Sequence, residues 1–286
     1  MIIQWFPGHM LETKKLLKDS ISKVDIILEV LDARLPVASA NPLLQNLCKT
    51  KIMVKLLNKS DLADPKITQQ WLKYFKTQIN LPAMALNGKQ KKNAFQALEY
   101  CKKIFERNRA RKIKIMVVGI PNTGKSTLLN TLAGKKIAKT GNVPAATRHK
   151  QRMSLKDNID LYDTPGILWP VIEPEEKACI LAASGAISDT AIDYSQIAFF
   201  VAKFLLQFYP DSVLNRYPFI QTLPTQASEL IALIGAARGC LKKGGMINLQ
   251  KASEILIRDL RAGKIGRISF ERPLIKKSFH EAIKPH

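Results

Sequence analysis

Acidic residues are outnumbered in this chain, cysteines are few, and no apolar run is long enough to cross a bilayer. Each shortage excludes something. The four cysteines, Cys48, Cys101, Cys179 and Cys240, are far apart and show no paired metal spacing. They read as small buried or half-buried side chains in a reducing compartment, so a cytoplasmic location is expected. The most apolar late stretch, 197–208, is short and carries Lys203, which argues against a membrane span. The first residues, Met1 to Trp5, lack a basic region followed by an apolar run and a cleavage site, so no secretory signal is read there. Internal repeats and long low-complexity tracts are also missing. What remains is a chain of 286 residues, 46% hydrophobic, enough for one large domain or two modest ones.

The deficit of acid leaves a formal net charge of +22. It is uneven. Residues 1–169 hold 30 Lys and Arg against 12 Asp and Glu, whereas residues 170–286 hold 15 against 11. A surplus of this size predicts association with a polyanion, nucleic acid or an acidic membrane surface. The densest basic stretch, from Lys102 to Lys114, also reads as a solvated helix face leading into a strand.

Strand-like runs alternate with helical stretches through the first half. The strands are expected at 25–32, 51–57, 82–86, 113–119 and 158–162, with helices near 65–77, 93–108 and 125–133. Such alternation argues for a parallel sheet covered on both faces. After residue 170 the pattern is mostly helical, punctuated by Pro210, Pro218 and Pro224 and by several glycines. A domain boundary is expected near 170–176.

Gly119-Ile-Pro-Asn-Thr-Gly-Lys-Ser126 fits G-x-x-x-x-G-K-[ST], and it lies between a strand and a helix, the context that motif needs. Glycines let the backbone curl into a ring of N–H donors around phosphates. Lys125 brings charge to the β- and γ-phosphates, the Ser126 hydroxyl suits Mg²⁺, and the helix N-terminus adds partial positive charge. Thr123, Gly124 and Thr127 belong to the same cradle. The loop indicates a nucleoside triphosphate without choosing the base.

The base is chosen by Asn58-Lys-Ser-Asp61, an N-K-x-D sequence at the end of a strand. The Asp61 carboxylate can accept from guanine N1–H and its exocyclic amine, a donor pair that adenine lacks. Asn58 is expected on the ring edge and the Lys59 stem over the ring. Asp163-Thr-Pro-Gly166 fits D-x-x-G: Asp163 would hold Mg²⁺ through water and the Gly166 N–H would meet the γ-phosphate. Thr147, between those motifs, is the candidate first-switch residue and a further Mg²⁺ ligand.

The order of these motifs is unusual. In a Ras-like domain the phosphate loop comes first and the base motif late; here the base motif precedes the loop and both switches. A sheet tolerates this when old termini are neighbours and new ends open elsewhere. The second switch then runs directly into the C-terminal half, so loss of the γ-phosphate could move that half. The chain resembles the YlqF/RbgA family of circularly permuted ribosome-assembly GTPases over nearly its whole length. The resemblance is carried by Gln4 to Met10, Asp32-Ala-Arg-Leu-Pro36, Asn58 to Asp61, Gly119 to Thr127 and Asp163 to Pro170, with Gly239 to Gly245 and Arg258 to Arg267 behind them. It implies an α/β, circularly permuted P-loop GTPase domain over 1–172 and a smaller helical, RNA- or ribosome-contacting domain over 173–286. It also implies GTP hydrolysis coupled to maturation of the large ribosomal subunit and binding of its ribosomal RNA, with no membrane or DNA partner. Two positions depart from the family pattern. Ala145 replaces a glycine before the first switch. The second base loop reads Ala-Met-Ala-Leu-Asn over 83–87, so backbone N–H groups near Ala85 are expected to serve the guanine oxygen.

Many GTPases orient the attacking water with a Gln after D-x-x-G. Ile167 stands there, and an apolar side chain cannot do this. His9 is one candidate, against its reading as a loop histidine; His149 is another. Asn122 sits where K⁺-stimulated GTPases of similar appearance place a ligand, and a bound K⁺ would supply positive charge without an arginine finger. The rival to an enzyme slow alone and stimulated by ribosomal particles is a GTP-gated RNA-binding scaffold with little catalysis. A tRNA-modifying GTPase would need a further catalytic domain, for which the residues after 170 show no Cys-x-x-Cys or clustered His, Asp and Glu.

Overall fold

A computed structural model describes residues 19–42, 44, 48, 50–105, 112–135, 151–155, 158–164, 174–189 and 192–273. Among the described residues six strands form one sheet in the order β3-β2-β1-β4-β6-β5. These are β1 (Ile26–Asp32), β2 (Ile52–Asn58), β3 (Ala83–Ala85), β4 (Ile113–Val118), β5 (Gln151–Leu155) and β6 (Ile159–Asp163). All neighbours pair in parallel except β5, which runs antiparallel to β6 at the edge. Five of the six lie where the sequence places strands. The sixth, β5, escapes because Arg152 and Ser154 break its apolar character; both reach Asp160 on β6, at 2.8 and 2.6 Å.

β1 reads as a near-continuous apolar run because helices cover both faces of a parallel sheet. Ile26, Leu28 and Val30 face α2 (Lys91–Ile104) and α3 (Lys125–Ala133), while Leu31 on the other side packs with Trp71 and Phe75 of α1 (Pro65–Gln78). Glu29 interrupts the run and is fully buried; it accepts from the Lys55 ammonium on β2 and from the Asn41 N–H at 3.0 Å. α1 begins where Asp64 caps the Lys66 and Ile67 N–H groups and Pro65 occupies the first turn.

The second half contributes α4 (Glu175–Ser184), α5 (Tyr194–Phe208), α6 (Pro210–Arg216), α7 (Ala227–Ala237) and α8 (Leu249–Arg261). Their apolar faces form one cluster that also takes in Leu35, Ala38 and Ile120 from the sheet-forming half. Among the described residues no single helix is long and apolar enough to cross a membrane. The pair α5–α6 is bent by 111°, and its apolar residues Val201, Leu205 and Val213 are buried in this cluster.

The chain after α8 then returns across the sheet-forming half as a strap. The Ile268 N–H donates to the Leu62 carbonyl at 2.9 Å and the Phe270 N–H to the Arg34 carbonyl at 2.8 Å. Ser269 Oγ accepts from the Asp64 N–H, the Glu271 carboxylate accepts from the Val37 and Ala38 N–H groups, and Trp71 Nε1 donates to the Glu271 carbonyl. β4 carries the phosphate loop at its end and lies in mid-sheet, two places from β2 and the base motif.

Candidate nucleotide site

The phosphate loop leaves β4 through backbone that side chains cannot follow. Gly119 has φ +149°, and a Cβ there would stand 2.5 Å from the Val30 carbonyl oxygen. Gly124, at φ +95°, would bring one within 2.3 Å of Asn58 Nδ2. These two glycines are therefore required by close approach as well as by dihedral angle. Thr123 turns inward and donates to the Ile120 carbonyl, closing the loop on itself. Ser126 and Thr127 line the cavity beyond.

Lys125 is buried, with Nζ donating to the Ile120 carbonyl at 2.8 Å. Burial pulls its pKa down to about 8, against an opposing pull from the Asp163 carboxylate. Asp163 ends β6 beside Val117 of β4, at the carboxyl edge of the strands, where open α/β sheets bind ligands.

Asn58 does not reach for a ring edge, as its motif suggests. Its Nδ2 donates to the Thr123 carbonyl and its Oδ1 accepts from the Gly88 N–H, both at 2.8 Å. It is a tie between the phosphate loop and the loop after β3, and the side chain is buried because both loops close on it. Lys59 adopts φ +58°, an uncommon angle for a lysine, and its Nζ is 2.9 Å from Asp32 Oδ2. Asp32 also takes a two-pronged contact from Arg34, Nε at 2.9 Å and Nη2 at 2.8 Å. Burial alone would raise the Asp32 carboxyl, but the Arg34 and Lys59 charges outweigh it and hold it well below the usual carboxylate range.

Asp61 lines the cavity with Lys59 and Arg34. Ala85 is the last residue of β3, paired with Leu57, and is not part of the cavity lining. The cavity wall from this region is made two to four residues later by Asn87, Gly88 and Lys89. His9, Thr147, His149 and Gly166 lie outside the described residues.

The cavity, about 550 Å³, has a far wall that the sequence did not disclose. Ser184, Tyr194, Arg258 and Arg261 come from the C-terminal helices, and Gly185 and Asp189 from the segment between α4 and α5. Arg261 caps α4, donating to the Ala182 and Ala183 carbonyls and pairing with Asp189 at 2.9 Å. Asn122, at φ +58° in the phosphate loop, donates its Nδ2 to the Gly185 carbonyl at the end of the same helix. Sequence spacing could have flagged Arg258 and Arg261 as neighbours on a helix face, but their approach to residues 58–62 is tertiary.

Residues 114–214 match a family model described as 50S ribosome-binding GTPase. The chain is 41% identical to ribosome biogenesis GTPase A of Priestia megaterium, covering 96% of this chain and 98% of that one. The protein of that name from Thermotoga maritima is 32% identical, with 95% of each chain covered. Among solved structures, a GDP-bound YlqF superposes with a TM-score of 0.64 at 30% identity, covering 90% of this chain and 99% of that one. GNP-bound YlqF from T. maritima gives 0.65 at 28%, covering 92% and 99%.

Proposed function

The chain belongs to the ribosome biogenesis GTPase A family, a circularly permuted GTPase, and on that premise we propose that it acts on the precursor of the large ribosomal subunit, coupling GTP binding and hydrolysis to a late assembly step. The enzymatic activity is hydrolysis of GTP to GDP and phosphate. The observation that carries the finer reading is one cavity walled by the base loop, the phosphate loop and the C-terminal helices together. Nucleotide state is thereby exposed to the half of the protein proposed to engage RNA. The description of the matching family model favours the large subunit, and the charge of +22 favours ribosomal RNA as the surface engaged. The protein would do this in the cytoplasm.

In this reading Asp61 takes the two guanine donors, Lys59 covers the ring from its bond to Asp32, and Asn58 fixes the spacing between base and phosphate loops. Lys125 leaves the Ile120 carbonyl for the β- and γ-phosphates. The Ser126 hydroxyl and the Asp163 carboxylate are hard oxygen donors of the kind Mg²⁺ takes, with Thr147 completing the set. Bound there, Mg²⁺ would neutralise charge on the phosphates. Asn122 commits its Nδ2 to Gly185, and its amide oxygen is the donor a K⁺ ion would use. Gly166 would meet the γ-phosphate and His9 would orient water. The test is GTP turnover with and without purified large-subunit particles. Stimulation is expected; a rate unmoved by particles that do bind would favour a GTP-gated scaffold.

A further inference from the structure

Arg34 presents a problem of accounting. It is 2% exposed, and Nε and Nη2 are spent on Asp32, but Nη1 is buried without a hydrogen-bond partner among the described residues. A buried guanidinium N–H with no acceptor is costly, so an acceptor that arrives later is the economical explanation. Besides Asp32, the acidic group whose charge Arg34 feels is Asp61. It lines the same cavity wall as Arg34, and its field adds to that of Asp32 in keeping Arg34 charged.

The backbone holds these two residues in register. Ile268 and Phe270, two apart on the strap, donate their N–H groups to the Leu62 and Arg34 carbonyls. Between them Ser269 Oγ accepts from Asp64 N–H at 3.0 Å. The loop that carries Asp61 and the residue that carries the spare donor are thus fixed by one three-residue segment.

We propose that Arg34 is a positioning residue for guanine recognition: its Nη1 donates to the Asp61 carboxylate when a guanine nucleotide is bound, fixing the orientation in which both carboxylate oxygens meet the base. This rests on the reading of Asp61 as the guanine acceptor. The stoichiometry allows it, since a carboxylate offers about four lone-pair sites and guanine takes two. Arg34 acts through Asp61 and needs no contact with the nucleotide.

The test uses full-length protein and compares GDP with IDP, which lacks the exocyclic amine and so needs only one Asp61 contact. Arg34→Gln removes the charge; Arg34→Lys keeps the charge that Asp32 requires while losing the planar fork. GDP affinity is expected to fall by about tenfold or more in both, and IDP affinity by less, so that the GDP-to-IDP ratio narrows. Equal losses for GDP and IDP would make Arg34 merely structural and overturn the proposal. Should neither variant fold, a crystal structure of the wild-type GDP complex decides: Nη1 within about 3.2 Å of an Asp61 oxygen supports it, and a separation beyond hydrogen-bond reach refutes it. Wild-type protein that binds ADP as well as GDP would instead defeat the underlying guanine assignment.

Discussion

Asn58 joins two loops through one amide, its partner Thr123 standing 65 residues further along the chain. That Asn58, Lys59 and Asp61 belong together at one cavity was legible from the spelling of the motif alone. The direction in which each side chain points was not. Asn58 turns inward to the phosphate loop, and Ala85 remains in its strand while Asn87 to Lys89 form the wall; both outcomes depend on how far β3 extends before it turns. Lys125 is the residue whose chemistry the sequence understates. Its pKa of about 8 means that the free protein loses this charge just above neutrality, whereas bound phosphate favours the ammonium. GTP binding above pH 8 should therefore take up a proton. Between pH 7 and pH 8.5 the affinity is expected to fall by about fourfold. Calorimetry in buffers of different ionisation enthalpy would register the proton uptake, and affinity that stays flat over this interval would contradict the argument.

Secondary elements were legible in proportion to their apolar content. β1, β2 and β4 are buried on both faces and announce themselves; β5 is an edge strand whose polar residues are satisfied by Asp160, and it was silent. The strap over 268–271 was equally silent, since four residues are too few to show a periodicity. It closes on Glu271, whose carboxylate serves the Val37 and Ala38 N–H groups. Burial outweighs those two donors and pushes its pKa up from 4.5 to about 7. A carboxyl raised in the folded state binds its proton more tightly there than in the unfolded chain. Its stabilising contribution is then complete below about pH 4.5 and is lost as pH rises through about 7. Glu271→Gln removes that titration. Between pH 5 and pH 8 the variant should lose less Tm than the wild type, measured by thermal denaturation in matched buffers. The same decline in both proteins would remove Glu271 from the explanation.

For the molecule as a whole, charge and motif order were legible in the sequence, but the route from nucleotide to C-terminal half was only partly so. Permutation implies a covalent route, because the second switch leads into that half. The fold adds two contacts that chain order does not reveal: Asn122 on the phosphate loop bonds Gly185 at the end of α4, and the strap holds Leu62 and Arg34, which line the same cavity as Asp61. A chain cut near residue 170 would lose the cavity's far wall and uncover Leu35, Ala38 and Ile120, so the coupling is better tested in the intact protein. Charge should make binding to large-subunit particles fall steeply with salt, by about 0.7–0.9 log units per phosphate contact for each tenfold rise. Electrostatics alone would give the same curve in GDP and in a GTP analogue. Contacts that sense the nucleotide should separate the two curves by a constant offset, and a tenfold preference for the GTP state corresponds to about 1.4 kcal/mol. Asn122→Ala removes one of the contacts without altering net charge. Co-sedimentation across a salt series should then give an unchanged slope and a smaller offset. An offset that survives intact would assign the coupling to the second switch or the strap, and superimposed GDP and GTP curves in the wild type would rule out nucleotide-gated binding.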